Sequence, residues 1–162
     1  MPLVDGLDGF RASLPEPLDL GAGLREHLVR YCRVVSPLLD LGAVAGAGGG
    51  RLAVSVFRAH PWPRPIQVRA MERHPLGSQA FVPMSERPFA VVVAPPGSAP
   101  EPSDLRAFVT NGRQGVHYRP GVWHHPLLVL DQPADVLVID RVGPGVDLDV
   151  VSFLVHGIFL TL

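Results

Sequence analysis

Glu72, His74 and Gln79 put a carboxylate, an imidazole and a carboxamide into one short stretch, Met71-Glu72-Arg73-His74-Pro75-Leu76-Gly77-Ser78-Gln79-Ala80-Phe81-Val82-Pro83-Met84. Side chains alternate along an extended chain, so Glu72 and His74 share a face and can converge on one ligand. Pro75 and Gly77 break the strand, after which Gln79 and Phe81 can resume the inward face. Such groups suit proton transfer on a small molecule, and imidazole and carboxylate also suit a divalent metal. The competing reading pairs Glu72 with Arg73 or Arg69 at the surface. A second polar cluster runs Gly115-Val116-His117-Tyr118-Arg119-Pro120-Gly121-Val122-Trp123-His124-His125-Pro126. Of the adjacent His124 and His125 only one can face a strand's inner side, and the other must face outward or into an interface. His117 and Tyr118 either line the site or form a loop pair over its mouth, and Trp123 reads as packing.

Short strands must position these groups. Alternation and β-branched residues predict strands over 52–59, 66–73, 79–83, 89–94, 105–109, 116–118, 127–130, 134–140 and 150–154, separated by Gly and Pro turns. Residues 1–20 read as an irregular lead-in. Leu24, Leu28, Tyr31 and Val35 fit helical spacing and predict a short helix over 24–41 ending near Ser36-Pro37, with a strand over 28–35 as the competing reading. Gly42–Gly50 reads as a surface loop without the fixed glycine spacing or lysine of a phosphate loop. Many short strands with at most one or two helices point to an antiparallel sandwich or barrel.

Bulk properties narrow the class further. One domain over residues 1–162 is expected from the length, with 1–50 as a divergent N-terminal part. The 14 cations, all arginine, against 15 acids leave no positive excess for a phosphate backbone, so no nucleic-acid partner is expected. The single cysteine, Cys32, excludes an intramolecular disulfide and a cysteine-based zinc cluster. No leader pattern and no membrane-length apolar run are seen, so a cytoplasmic location without membrane attachment is expected.

The first stretch, followed by Ala90-Val91-Val92-Val93-Ala94, resembles the ureidoglycolate lyase family, also known as ureidoglycolate hydrolase. Leu105-Arg106-Ala107-Phe108-Val109-Thr110-Asn111-Gly112, Gln114-Gly115-Val116 and Gly121-Val122-Trp123-His124-His125-Pro126-Leu127 extend the resemblance in the same order. It implies a cupin-like antiparallel β-barrel, or double-stranded β-helix. Gly115 and the Pro120-Gly121 turn before His124 look like the second half of a cupin signature, which selects His124 as the inward histidine. Glu72, His74 and His124 are then the expected catalytic groups. Arg58, Gln79, His117, Tyr118 and Arg141 are the expected substrate contacts, although Arg141 could instead pair with Asp140. A divalent metal (nickel, manganese or zinc) would sit on His74, Gln79 and His124.

The implied reaction cleaves (S)-ureidoglycolate, a small-molecule substrate, to glyoxylate and urea in purine and allantoin breakdown. A homodimer is implied too, with the apolar tail Val150–Leu162 as a source of interface area. Two departures bear on specificity. The family tends to read Arg-Tyr-His-Asp where this chain has Arg30-Tyr31-Cys32-Arg33, and Asn where it has His117. The alternatives are a related lyase or isomerase acting on another small hydroxy acid or carbinolamide, and a non-catalytic cupin that binds a small acid.

Overall fold

The computed structural model describes residues 3–5, 32–43, 49–153 and 157–161, the first two segments by backbone pairing alone. Among the described residues twelve strands run in chain order: β1 Leu3–Asp5, β2 Cys32–Ala43, β3 Arg51–Ala59, β4 Ala70–Arg73, β5 Gln79–Pro83, β6 Phe89–Ala94, β7 Arg106–Val109, β8 Gly115–Tyr118, β9 Trp123–His124, β10 Leu128–Val129, β11 Ala134–Val142 and β12 Asp149–Ser152. The helical element among the described residues is a 3-10 turn at Pro102–Asp104, started by Pro102 and closed by Glu101 N–H donating to the Asp104 carboxylate at 2.8 Å.

The pairing is nested. β3 pairs with β11, β4 with β9, β5 with β8 and β6 with β7, all antiparallel. That is one long hairpin coiled on itself, a double-stranded β-helix, and the cross-pairings β5–β11 and β6–β9 close it into two facing sheets. One sheet has the order β1-β8-β5-β11-β3-β2; the other has β10-β6-β9-β4-β12, with β7 also bordering β6. The fold is therefore mainly β, antiparallel and cupin-like, with the barrel interior between the sheets.

Burial explains which runs became strands. Phe81, Val91, Val93, Val116, Tyr118, Val136 and Val138 fill the barrel, each on the inner face of its strand. The second sheet also has its outer face covered. Ala90, Val92 and Ala94 of β6, with Met71, Trp123 and Leu128, pack against Trp62, Ile66, Val68, Phe153 and Ile158. With both faces covered, β6 is apolar at every position instead of alternating. Main-chain bonds Trp62 N–H to Val129 O, Val68 N–H to Ile158 O and Leu160 N–H to Ile66 O hold that cover in place.

Three expectations change. Residues 32–41 are strand, not helix: β2 pairs with β3 at the edge of its sheet, and the register shifts around Ser36 and Pro37 show how an edge strand absorbs a proline. The earlier part of that predicted helix lies outside the described residues. The strand expected over 66–73 begins only at Ala70, because Gln67 meets Phe159 in a single bridge instead of joining the sheet. In the described part of the tail Phe153 and Ile158 belong to this chain's own core, whereas Phe159 is exposed.

Candidate active site

The two motif stretches meet inside the barrel because β4 and β9 are neighbours, with Glu72 directly opposite His124. On β4 alternation sends Met71 to the outer core and Glu72 inward. Arg73, outward again, lies 4.6 Å from the centre of the Trp123 ring and pairs with Asp149 at 2.8 Å. Trp123 itself is packed, its indole N–H donating to Ser98 O. Gln79 enters from β5 in the facing sheet, opposite Tyr118 on β8. Glu72, Gln79 and His124 are all buried.

Each imidazole is oriented by a backbone carbonyl. His74 Nδ1 is 2.7 Å from Asp147 O, and His124 Nδ1 is 3.0 Å from Val122 O. A carbonyl can only accept, so both Nδ1 atoms carry the proton and each Nε2 is left to face the pocket. His124 Nε2 has Gln79 Oε1 at 3.1 Å and Glu72 Oε1 at 3.5 Å, while His74 Nε2 is buried without a hydrogen-bond partner. Glu72, His74 and His124 offer ligand atoms that all lie within 4.8 Å of one another. A crowd of lone pairs with too few protons fits either a divalent cation or a proton shared between Glu72 and His124.

Electrostatics agree with that geometry. Burial pushes the Glu72 carboxyl up, but the hydrogen bond and charge of His124, and then the charges of His74 and His125, outweigh it and bring it below the ordinary range. Tyr118 is stacked flat on His124, with centroids 4.1 Å apart and planes 7° from parallel. Burial, and then the Glu72 charge, raise its hydroxyl far above the usual tyrosine range, so it stays neutral.

Not every expected residue arrives. Arg58 is held by Asp135 in a two-pronged ion pair at 2.8 and 2.7 Å, on the outward face of β3. Asp135 lies five residues before the site end of β11 at Asp140, about 16 Å at ~3.3 Å per residue. His117 sits between the inward Val116 and Tyr118 and points out of the barrel, and both it and Tyr118 are in β8 instead of a covering loop. Arg141 also takes the outward face of its strand. Its guanidinium is 3.7 Å from Asp147, donates to Pro144 O at 2.8 Å and to Gly49 O, and is wedged against Gly50, while its aliphatic stem lies against Gly77. His125 faces away from His124 as expected, yet it is buried, 5.1 Å from Trp62, because the outer face of that sheet is covered.

Two acids that were not expected as site residues come close instead. Asp140 continues the inward row Ala134, Val136, Val138 and feels the charge of His74; burial first, and the neighbouring Asp147, raise its carboxyl above the ordinary range despite that histidine. Alternation along β11 was the signal for Asp140. Asp147 had none, since its contacts to His74 and Leu76 span some seventy residues of chain.

A double-stranded β-helix holding a Glu–His–His cluster within it defines a cupin-type protein. Residues 30–158 match the family model for ureidoglycolate lyase, and the chain belongs to that family. It is 57% identical to the ureidoglycolate lyase of Azotobacter vinelandii over 61% of this chain and 60% of that protein. It is 47% identical to the one from Burkholderia mallei over 82% of this chain and 71% of that protein. Against the ureidoglycolate lyase of Pseudomonas syringae pv. syringae it is 55% identical over 59% of this chain and 56% of that protein. The matches thus cover between 56% and 71% of these relatives' lengths. An oxalate decarboxylase from Lactobacillus farciminis shares 13% identity with a TM-score of 0.41, over 67% of this chain and 33% of that one. No helix among the described residues is long and apolar enough to cross a membrane.

Proposed function

We propose that this protein cleaves (S)-ureidoglycolate to glyoxylate and urea, in the breakdown of purine-derived allantoin. The observation that carries the reading is the convergence of Glu72, His74 and His124, whose ligand atoms all lie within 4.8 Å of one another, in a chain that belongs to this family. The substrate carbon bears a hydroxyl, a carboxylate and a ureido nitrogen. Loss of the hydroxyl proton lets the oxygen's electrons form the aldehyde carbonyl as the carbon–nitrogen bond breaks, and the departing nitrogen takes up a proton to complete urea.

Glu72, kept ionised by its histidine neighbours, accepts the hydroxyl proton. His124, 3.5 Å from that carboxylate, relays the proton to the ureido nitrogen, and general acid–base help of this kind contributes about 10²–10⁴-fold. Gln79, whose carboxamide oxygen is 3.1 Å from His124 Nε2, lines the same site. Tyr118 takes part as the flat wall that holds the His124 ring. Arg58 is assigned no carboxylate-binding role, because its guanidinium is on the outward face of β3 and paired there with Asp135. His74, His124 and Glu72, with Gln79 beside them, would hold a divalent cation such as nickel, manganese or zinc, which when bound supplies Lewis acidity toward the hydroxyl and carboxylate oxygens.

The test is glyoxylate release from each enantiomer by purified protein, with chelator and with added nickel, manganese or zinc, beside His74→Ala and His124→Ala. Release from the S enantiomer that both substitutions abolish supports the reading; release no faster than the variants under every condition overturns it. A homodimer is part of the same proposal, supported by the family resemblance and the exposed Phe159, and light scattering on the eluting protein measures it.

A further inference from the structure

We infer that Asp147 is the positioning residue that sets His74 for its role, an inference that rests on the reading of Glu72, His74 and His124 as the working cluster. One residue holds both the His74 ring and the turn that follows it. Its backbone oxygen takes the His74 Nδ1 proton at 2.7 Å. Its side-chain Oδ1 accepts from the two amides that follow the Pro75 break, Leu76 N–H at 2.6 Å and Gly77 N–H at 3.2 Å. Its Oδ2 lies 3.7 Å from Arg141 Nη1, which ties the loop between β11 and β12 back to the end of β11.

The loop has little else to hold it. Val146 and Leu148, on either side of Asp147, are 79% and 38% exposed, so apolar burial contributes little there, whereas the Asp147 carboxylate is largely buried. The fit is close enough to require glycine at 77, where a Cβ would come within 2.5 Å of Arg141 Cβ and 3.0 Å of Asp147 Oδ2. The loop leads straight into β12, whose Val150 is opposite Glu72, so the register that Asp147 sets is shared by both the carboxylate and the imidazole. Fixing which ring nitrogen carries the proton is what a second layer of contacts does for a ligand or proton-transfer histidine, and its loss costs about 10–100-fold in metal affinity or activity.

The experiment uses full-length protein labelled with nitrogen-15 in histidine, together with nickel titration by calorimetry and steady-state kinetics. At a pH where the ring carries one proton, the His74 signals of the unsubstituted protein should show that proton on Nδ1 alone. Asp147→Ala should give a mixture of both neutral forms, about 10–100-fold weaker nickel binding and a fall in kcat. Asp147→Asn keeps an oxygen before Leu76 and Gly77 and should restore the single form and most of the nickel affinity. The proposal is overturned if unsubstituted His74 is protonated at Nε2, a result that needs no variant to fold. It is equally overturned if Asp147→Ala leaves ring form and nickel binding unchanged, or if Asp147→Asn loses as much as Asp147→Ala. Failure of the unsubstituted protein to release glyoxylate would count against the proposed reaction and leave the ring assignment standing.

Discussion

Glu72→Gln preserves the shape of a buried side chain and removes its charge, so it isolates what the carboxylate contributes. In the structure the carboxylate lies 3.5 Å from His124 Nε2 and within 4.8 Å of a His74 ring nitrogen. Loss of a proton acceptor in the rate-determining step should lower kcat/KM by about 10²–10⁴-fold, roughly 2.7–5.4 kcal/mol of barrier. Saturating nickel separates two causes: a deficit that persists belongs to proton transfer, and one that disappears belongs to metal loading. Stability supplies an independent reading in chelator-treated protein. Burial raises the Glu72 carboxyl, but the hydrogen bond and charge of His124 and the further histidine charges lower it by more, so its folded value is below the ordinary one. A depressed carboxylate stabilises the fold above its unfolded pKa, and that contribution disappears as the pH falls through the folded value. Unsubstituted protein should therefore melt above Glu72→Gln at neutral pH, with the gap closing in acid. Kinetics within tenfold of unsubstituted protein, together with a melting gap independent of pH, would refute the assignment of Glu72 as an ionised proton acceptor.

Arg58→Ala should leave kcat and KM for ureidoglycolate unchanged, because its guanidinium is on the outer face and bound to Asp135; a raised KM in steady-state assays would return Arg58 to the site. Asp140→Asn tests the buried acid beside His74. Its carboxyl is raised, first by burial, so its contribution to stability is present below the unfolded pKa and lost as the pH rises through the folded value. In chelator-treated protein the melting temperature of Asp140→Asn relative to unsubstituted protein should therefore climb from acid to neutral pH, and a flat difference contradicts the burial argument. Phe153→Ala removes a fully buried ring from the outer core and should cost about 3–5 kcal/mol in urea unfolding; a cost below about 1 kcal/mol would show that this layer is not integral to the folded barrel.

Strand placement and the core of the site were legible in the chain because both depend on local alternation. Period two put Glu72 and His74 on one face, and it separates His124 from His125 whatever the rest of the molecule does. The β-branched runs of β3, β5, β6 and β11 were likewise readable residue by residue. Motif resemblance added what periodicity lacks, namely that Glu72 on β4 and His124 on β9 meet across the barrel.

The arginines show the limit. Whether a cation binds substrate depends on which carboxylate reaches it first, and Asp135 is opposite Arg58 only because β3 and β11 pair in one register. The family resemblance implies Arg141 as a substrate contact, yet its strand sends Asp140 inward and Arg141 outward to Asp147. Over residues 32–41 the expected helix lost to the open edge of β3, whose backbone groups offered pairing that an isolated short helix could not match. By itself the sequence determined the inward faces of the strands and the identity of the converging groups, because alternation is a property of each strand alone. Only the tertiary structure decided which cations are already neutralised, which acids approach His74 and which loop orients its ring, because those depend on contacts between residues distant in the chain.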